Sequence, residues 1–244
     1  MDGPHSLPNG NGHGNGISMV DDGAPAPRSL IEAAYRQLRM DIIGGRHAPG
    51  ERLRVEHLKN EYQVGAGTLR EALALLVSDS LVVPHSQRGF RVAPMSLADI
   101  EDLTRTRTLL ECAAFRDSIQ YGDDEWEARV VSAYHRLSRA EERLASDVTG
   151  VFNEWEERNR AFHEALTSAC PSRWILRFRS LLYQQAQRYR RLSAVTTKVP
   201  ASVHDEHRQI YEAALERDAE KAERMLAQHI QFAVSVIKKQ GVLK

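Results

Sequence analysis

Residues 64–92 read VGAGTLREALALLVSDSLVVPHSQRGFRV, and this stretch decides the fold of the first part of the chain. It begins with a segment from about Thr68 to Asp79 that we expect to be helical, because its apolar residues recur at helical spacing. These residues are Leu69, Ala72, Leu73 and Leu76. Two β-like pieces follow, LVVP at 81–84 and GFRVAP at 89–94, separated by the polar HSQR. The stretch therefore predicts a helix followed by a small hairpin.

Two further helices are predicted before this stretch. One runs from Ser29 to Ile43 and stops at Gly44-Gly45, where a left-handed cap is expected, and a shorter one runs from Arg54 to Tyr62. Three helices and a hairpin within so short a segment are the element order of a winged helix-turn-helix. We therefore predict a DNA-binding domain over 29–94. Residues 1–28, rich in Gly, Asn and Pro, are predicted to be a disordered tail, either native or a vector-derived leader.

In a winged helix the third helix enters the major groove and the wing approaches a phosphate or the minor groove. Arg70 is the candidate for a guanine contact, because its planar fork can donate two hydrogen bonds to one base. Thr68 is a candidate for a phosphate or base, and Arg88 and Arg91 are candidates in the wing, whose tip is predicted at 86–89. The alternative is that Arg70 is an ordinary solvated side chain. Charge gives little help, since residues 29–94 contain nine Lys or Arg and seven Asp or Glu.

The remainder of the chain, 95–240, is predicted to be an all-α domain of about six helices. Its breaks are expected at Gly122-Asp123, Thr149-Gly150, Cys170-Pro171 and around Val199-Pro200. Asp124-x-x-Glu127 resembles a capping box at the start of one of these helices. The predicted fold class is therefore mainly α, with an N-terminal winged helix-turn-helix and a C-terminal helical bundle.

The composition is that of a soluble globular protein, with 42% hydrophobic residues and 33 basic against 33 acidic side chains. The two cysteines are far apart and show no Cys-x-x-Cys spacing, so neither a disulfide framework nor a thiolate metal cluster is indicated. A membrane span and a signal peptide are not indicated either. We expect a cytoplasmic protein.

The segment WEERNRAFHEAL at 155–166 places Asn159 and His163 on one face of a predicted helix. His207 and His229 lie on two other predicted helices, and side chains at one level of a bundle can share its interior. Three imidazoles and an oxygen donor suit zinc, nickel and similar divalent ions. Each histidine alone could equally be a buried residue with a satisfied hydrogen bond.

An enzyme is not predicted. Three histidines with an open position could activate water, but the sequence contains no His-Glu-x-x-His, no Gly-x-Ser-x-Gly and no phosphate-binding glycine loop. The alternatives are a metal-dependent enzyme with an N-terminal docking module and an architectural DNA-binding protein without an effector.

The chain resembles GntR-type transcriptional regulators of the FadR subfamily, which pair a winged helix with an all-helical effector domain called FCD. The resemblance covers roughly residues 30–240. It rests on ERL at 51–53, LREAL at 69–73, RGFRVAP at 88–94, Arg107-x-x-Leu110-Glu111, Asn159-x-x-x-His163, His207-Arg208 and the segment 222–229. Within the subfamily the chain is most similar to carbon-starvation-induced, glutarate-responsive repressors, through VGAGTLREAL and GDDEWEA at 122–128.

The resemblance implies a homodimer on a palindromic double-stranded DNA operator, acting as a repressor that a small carboxylic acid such as glutarate or 2-hydroxyglutarate releases. It adds Arg52 and Gly89 to the DNA-binding candidates. It assigns the effector-facing arginine to Arg107. It also assigns a divalent metal and the effector to one residue set, Asn159, His163, His207 and His229.

Two departures from the family pattern affect these expectations. Asn159 stands where the family usually has Asp, and Gly65-Ala66-Gly67-Thr68 stands where it usually has a Ser-Arg-Thr-Pro-like run. An amide oxygen is a weaker metal ligand than a carboxylate, so Asn159 either helps to hold a metal or hydrogen-bonds the effector with no metal present. The second departure removes an arginine that often contacts bases, so the operator preference cannot be copied from the family.

Overall fold

The computed structural model describes residues 27–85, 89–144, 148–196, 202–241 and 243. Of the tail predicted over 1–28, residues 1–26 lie outside the described residues. Residues 86–88, which make up most of the predicted wing tip and include Arg88, also lie outside them. The predicted break around Val199-Pro200 is outside them as well.

The first part of the chain is a winged helix of three helices and a small sheet. Its helices are α1 (Leu30–Ile43), α2 (Val55–Glu61) and α3 (Ala66–Ser78), and its strands are β1 (Arg52–Leu53), β2 (Val82–His85) and β3 (Gly89–Val92). The Ser29 hydroxyl accepts a hydrogen bond from the Glu32 amide and caps α1, and the left-handed residue after α1 is Gly45, with φ of 80°.

Two details of this part differ from the sequence prediction. Helix α3 begins at Ala66, two residues before the predicted Thr68, so Gly67 lies in its first turn and Gly65 precedes it. Strand β1 was not predicted. It pairs antiparallel with β3, with Arg52 opposite Arg91, so the predicted hairpin of β2 and β3 is part of a three-stranded sheet in the order β1-β3-β2.

The winged helix has its own apolar core. The predicted apolar face of α3 is fully buried and packs with residues of α1 and the sheet. This core includes Leu38, Leu53, Leu69, Leu73, Leu76, Leu81 and Val92. The winged helix thus folds around the leucines that define the sequence pattern of α3.

The second part is a bundle of six helices within the described residues. These are α4 (Leu97–Tyr121), α5 (Asp124–Leu144), α6 (Val148–Leu166), α7 (Arg173–Thr196), α8 (Ser202–Leu215) and α9 (Ala219–Gln240). The break predicted at Thr149-Gly150 is placed a few residues too late, because α5 ends at Leu144 and α6 already begins at Val148. The predicted capping box is shifted by one residue, since Asp123 accepts the hydrogen bond from the Trp126 amide.

The bundle core contains large aromatic side chains, among them Phe115, Trp126 and Phe162, all fully buried. Cys112 and Cys170 are free thiols. Among the helices that the structure describes, none combines the length and apolar character needed to cross a membrane.

Helix α7 connects the bundle to the winged helix. The Gln185 amide donates to the carbonyl of Asp79 at the end of α3 (2.5 Å), and the Arg188 guanidinium donates to the carbonyl of Ala93 just after β3 (2.6 Å). The Tyr189 hydroxyl donates to the Asp99 carboxylate in the first turn of α4. The base of the winged helix therefore rests on α7.

Candidate metal and effector site

The structure brings His163 of α6, His207 of α8 and His229 of α9 together inside the bundle. One nitrogen of each ring lies within 4.8 Å of the other two. The ring centroids are 4.5 Å apart for His207 and His229, 5.3 Å for His163 and His229, and 5.9 Å for His163 and His207. These three histidines, called the histidine cluster below, are far apart in the sequence.

A carboxylate lies beside each ring of the cluster, and two of the three rings are hydrogen-bonded to theirs. The Nδ1 of His207 donates to Glu141 (2.6 Å), and the Nδ1 of His229 donates to Glu206 (2.8 Å). The Nδ1 of His163 lies 3.4 Å from a carboxylate oxygen of Glu111. The Nε2 of His207 is buried and accepts or donates no hydrogen bond among the described residues. Carboxylate–histidine pairs of this kind fix the ring and its tautomer in metal sites.

Burial favours the uncharged forms of His163 and His229. It holds the pKa of His163 well below the usual value of 6.5 and lowers the pKa of His229 to about 4, where the neighbouring His207 adds to the effect. Neutral imidazoles are the form that binds metal ions.

Asn159 lies one helical turn before His163, and its side chain is held by Tyr183 of α7. The amide nitrogen donates to the Tyr183 hydroxyl (2.8 Å), while the amide oxygen is buried and unbonded within the described part of the chain. An oxygen with free lone pairs is an acceptor, so it suits a metal ion or a hydroxyl group and not an ionised carboxylate. The cluster and this oxygen together fit a divalent cation.

Arg107 is buried beside the cluster and forms an ion pair with Glu111 one turn later. Its Nε and one Nη donate to the same carboxylate oxygen at 2.9 and 2.6 Å. The other Glu111 oxygen lies 3.9 Å from the Nε of Arg179 on α7. Burial alone would raise the pKa of Glu111, but Arg107, His163 and Arg179 hold it well below its usual value. Glu111 therefore lies between two guanidinium groups, those of Arg107 and Arg179.

A cavity opens next to these groups. It contains about 700 Å³ of space not filled by protein atoms, part of it open to solvent. Arg107, Asn159, His163 and His229 line it, whereas His207 belongs to the histidine cluster but not to the cavity wall. Four of the five predicted effector residues therefore face one space.

The predicted DNA-contacting residues lie on the winged helix, away from this cavity. Arg70 is exposed in the first half of α3, and Thr68 is half-buried. Arg52 and Arg91 are paired across β1 and β3, and Arg91 donates to the Gly50 carbonyl (2.9 Å). Gly89 opens β3 with φ of 93°, a conformation that favours glycine. Arg88 lies outside the described residues.

Several site residues were not predicted as such. Glu111 follows Arg107 at a spacing of four, which is a usable signal for an ion pair on a helix. Trp155 precedes Asn159 at the same spacing and also lines the cavity. Glu141, Glu206, Tyr183 and Arg179 carry no such signal, because long-range contacts bring them to the site.

Comparison with known proteins gives a consistent result for both parts. The model of the family described as bacterial regulatory proteins, gntR family, matches residues 30–92, and that of the FCD domain matches residues 102–232. The chain is 50% identical over 245 residues to the uncharacterized HTH-type transcriptional regulator BphR of Paraburkholderia xenovorans LB400, covering 99% of this chain and 98% of that protein. It is 37% identical over 207 residues to the HTH-type transcriptional repressor GlaR of Escherichia coli K12, covering 83% and 93%.

Solved structures share the fold. Escherichia coli McbR/YncC superposes with a TM-score of 0.71 at 20% identity, covering 87% of this chain and 99% of that one. A putative transcriptional regulator GntR from Rhodococcus sp. RHA1 superposes with a TM-score of 0.70 at 25% identity, covering 86% and 97%. The winged helix followed by a helical bundle is thus the arrangement of known proteins.

Proposed function

We propose that this chain, which belongs to the gntR family of bacterial regulatory proteins and is a DNA-binding transcriptional regulator, is a repressor that a small carboxylic acid releases from its operator. Regulators of this family bind DNA operators and usually act as dimers, and the relative GlaR is a repressor. The family and the relatives are regulators rather than enzymes, which excludes the metal-dependent enzyme considered above.

In this proposal, residues 29–94 bind DNA and residues 95–240 bind the effector. Helix α3 enters the major groove with Arg70 towards the bases, while Thr68, Arg52, Arg91, Gly89 and Arg88 contact the backbone or the groove beside the wing. The exposure of Arg70 supports its role, since a base contact needs a side chain that DNA can reach.

The observation that carries the effector proposal is the set of polar groups around one cavity. Arg107 gives two N–H donors to Glu111 and has further donors for a ligand carboxylate. The remaining N–H donors of the Arg107 guanidinium favour an anion, and burial strengthens charge-assisted hydrogen bonds. Glutarate and 2-hydroxyglutarate are the first candidates.

A divalent metal ion would be held by His163, His207 and His229, with the Asn159 oxygen as a weaker donor. Some FCD domains bind metal ions, and the carboxylate partners of these histidines support the same use here. When bound, the ion supplies positive charge that attracts the effector's carboxylate. Without it, the Asn159 oxygen would accept a hydrogen bond from a hydroxyl on the effector.

Helix α7 supplies the route from the cavity to the DNA. Tyr183 contacts Asn159 and Arg190 lines the cavity, while Gln185 and Arg188 bind the base of the winged helix on adjacent turns. A ligand that shifts α7 therefore shifts the winged helix. The expected coupling between effector and DNA is about 1–3 kcal/mol, or roughly 5- to 150-fold in affinity.

A thermal-shift screen of small mono- and dicarboxylic acids, followed by gel shifts on bound DNA, tests this function. We expect at least one acid both to raise the melting temperature and to weaken DNA binding, because it binds one of two states of the regulator more tightly. Unchanged melting and unchanged DNA affinity across the screen would favour an architectural protein without an effector.

The control variant for this screen must not leave a buried charge without its partner. Arg107→Ala alone would leave Glu111 buried beside fewer positive charges, which can cost roughly 3–5 kcal/mol of stability. We would therefore use Arg107→Lys, which keeps a positive charge beside Glu111 and leaves Arg179 its carboxylate, but removes the planar fork that can bind a ligand carboxylate with two hydrogen bonds. This variant should still bind DNA but respond to the acid only weakly, and a normal response would contradict the role of Arg107.

We also propose that the protein is a homodimer through the outer faces of α4 and α7. Leu109 on α4 and Trp174 and Phe178 on α7 are large apolar side chains with exposures of 73%, 63% and 49%. Such side chains are common at interfaces between subunits.

Light scattering should give the mass of two chains for the wild type and one chain for Trp174→Glu with Phe178→Glu. Val131→Glu, on α5, should leave the dimer intact, and a dimeric double variant would contradict the assignment.

A further inference from the structure

The cavity has two chemically different ends, and they are ordered along α6. Phe152, Trp155, Asn159 and His163 follow one another on the same face of this helix and all line the cavity. Helix α9 runs from His229 through Ala233 to Val236 and Ile237 along the same space. Both helices therefore supply polar groups near the histidine cluster and apolar groups further away.

The described residues that line the apolar end offer no unpaired cation to a second carboxylate. The other lining arginine, Arg190, lies over the Tyr183 ring as Arg107 does, and both of its hydrogen bonds among the described residues go to the buried Glu156, at 3.0 and 2.5 Å. The Arg191 guanidinium lies over the Phe152 ring but is not part of the cavity wall, and it donates to Asn153. A carboxylate placed among Phe152, Val203 and Val236 would lose its hydration without gaining an ion pair. A hydrocarbon or aromatic group there would instead gain from leaving water.

Between the two ends lies one N–H group that lacks an acceptor. The Trp155 indole nitrogen is buried and donates to no acceptor among the residues that the structure describes. Trp155 is one turn of α6 from Asn159, a rise of about 6 Å along the helix. A buried donor without an acceptor is costly, so a ligand oxygen at this position would remove that penalty.

We propose that the cavity prefers an acid with its carboxylate at the Arg107 end, an apolar and best an aromatic tail at the Phe152 end, and an oxygen acceptor between them that receives the Trp155 N–H. This inference rests on the proposed function, because the ligand is the effector of the same site. Glutarate fills only the polar end. Trp155 is then a specificity-determining residue.

Three acids with the same five-carbon chain test the proposal by calorimetry. They are glutarate, 5-phenylpentanoate, in which a CH2–phenyl group replaces the second carboxylate, and 5-oxo-5-phenylpentanoate, in which that CH2 is a ketone beside the phenyl ring. We expect the keto acid to bind at least tenfold more tightly than glutarate. We expect 5-phenylpentanoate to lie between them, because it has the tail but not the acceptor.

The variant Trp155→Phe keeps an aromatic ring and removes the N–H. It should weaken binding of the keto acid about five- to tenfold. The two phenyl acids should then bind with equal affinity, as expected in a double-mutant cycle when the ketone oxygen and the indole N–H interact directly. A circular dichroism spectrum and melting curve check its fold. Should this variant fail to fold, the comparison of the three acids on the wild type still decides the tail preference.

The outcomes separate the inference from the function on which it rests. Tighter binding of glutarate than of both phenyl acids overturns the inference and leaves an acid-responsive regulator. If Trp155→Phe still binds the keto acid more tightly than 5-phenylpentanoate by the same factor as the wild type, the proposed role of the indole N–H is overturned. If no acid binds and none weakens DNA binding, the proposed function and the inference fail together.

Discussion

His207→Ala is expected to abolish divalent metal binding, whereas the wild-type chain purified without a histidine tag is expected to hold about one ion per chain. His207 is fully buried, its Nδ1 is held by Glu141, and its Nε2 faces the cluster without another partner among the described residues. Two histidines and an amide oxygen are a poor donor set for zinc or nickel. Elemental analysis of both proteins measures the change directly.

His204→Ala is the matched control. His204 also donates its Nδ1 to Glu141, at 2.8 Å, but it is more than a third exposed and does not belong to the histidine cluster. This variant should keep its metal. Asn159→Asp should bind the ion more tightly than the wild type, because a carboxylate is a stronger donor than an amide. Equal and negligible metal in the wild type and His207→Ala would instead support the metal-free pocket.

Arg70→Ala should weaken specific DNA binding by roughly 2–6 kcal/mol for a dimer, about 30-fold to more than 10⁴-fold, if each copy loses one bidentate base contact. Gel shifts on a duplex selected from a random library by the wild-type protein measure this. The fold and acid binding should not change, because Arg70 is exposed and lies on the winged helix, far along the chain from the cavity residues.

Arg105→Ala controls for the loss of one positive charge. Arg105 is 77% exposed on α4 and forms a surface ion pair with Asp102, which contributes little to stability. The Arg105→Ala variant should bind the selected duplex with the affinity of the wild type at every salt concentration. If Arg70→Ala and Arg105→Ala lose affinity equally, Arg70 contributes only general electrostatic attraction and does not read a base.

The fold was predictable where the sequence contains a clear period. The apolar face of α3 was identified from leucine spacing, and that face is buried in the structure. Strand β1 was missed because two residues carry no period, and only its pairing with β3 makes it a strand. The break between α5 and α6 was predicted a few residues too late, at Thr149-Gly150, because a helix tolerates glycine when packing of later residues, here Phe152 and Trp155, offsets about 1 kcal/mol of propensity.

The candidate site was predictable only in part. Asn159 and His163 share a helix face, and His207 and His229 were candidates because they lie on two other predicted helices. The resemblance supplied Arg107 and assigned the other four residues to one site. The sequence could not supply Glu141 as the partner of His207, because 66 positions separate them and nothing local links the two. The sequence also could not show that the Trp155 N–H has no acceptor among the described residues, because hydrogen-bond partners depend on how the interior packs.

Helix α7 has one more consequence. It lines the cavity with Arg190, Ser193 and Ala194, whereas Arg107, the proposed binding residue for the carboxylate, is on α4. Under the proposed function, an acid would be anchored mainly by α4 and would move the winged helix through α7. An acid that is anchored at Arg107 without pressing on α7 would be an antagonist: it would occupy the regulator, block the inducer and leave the genes silent.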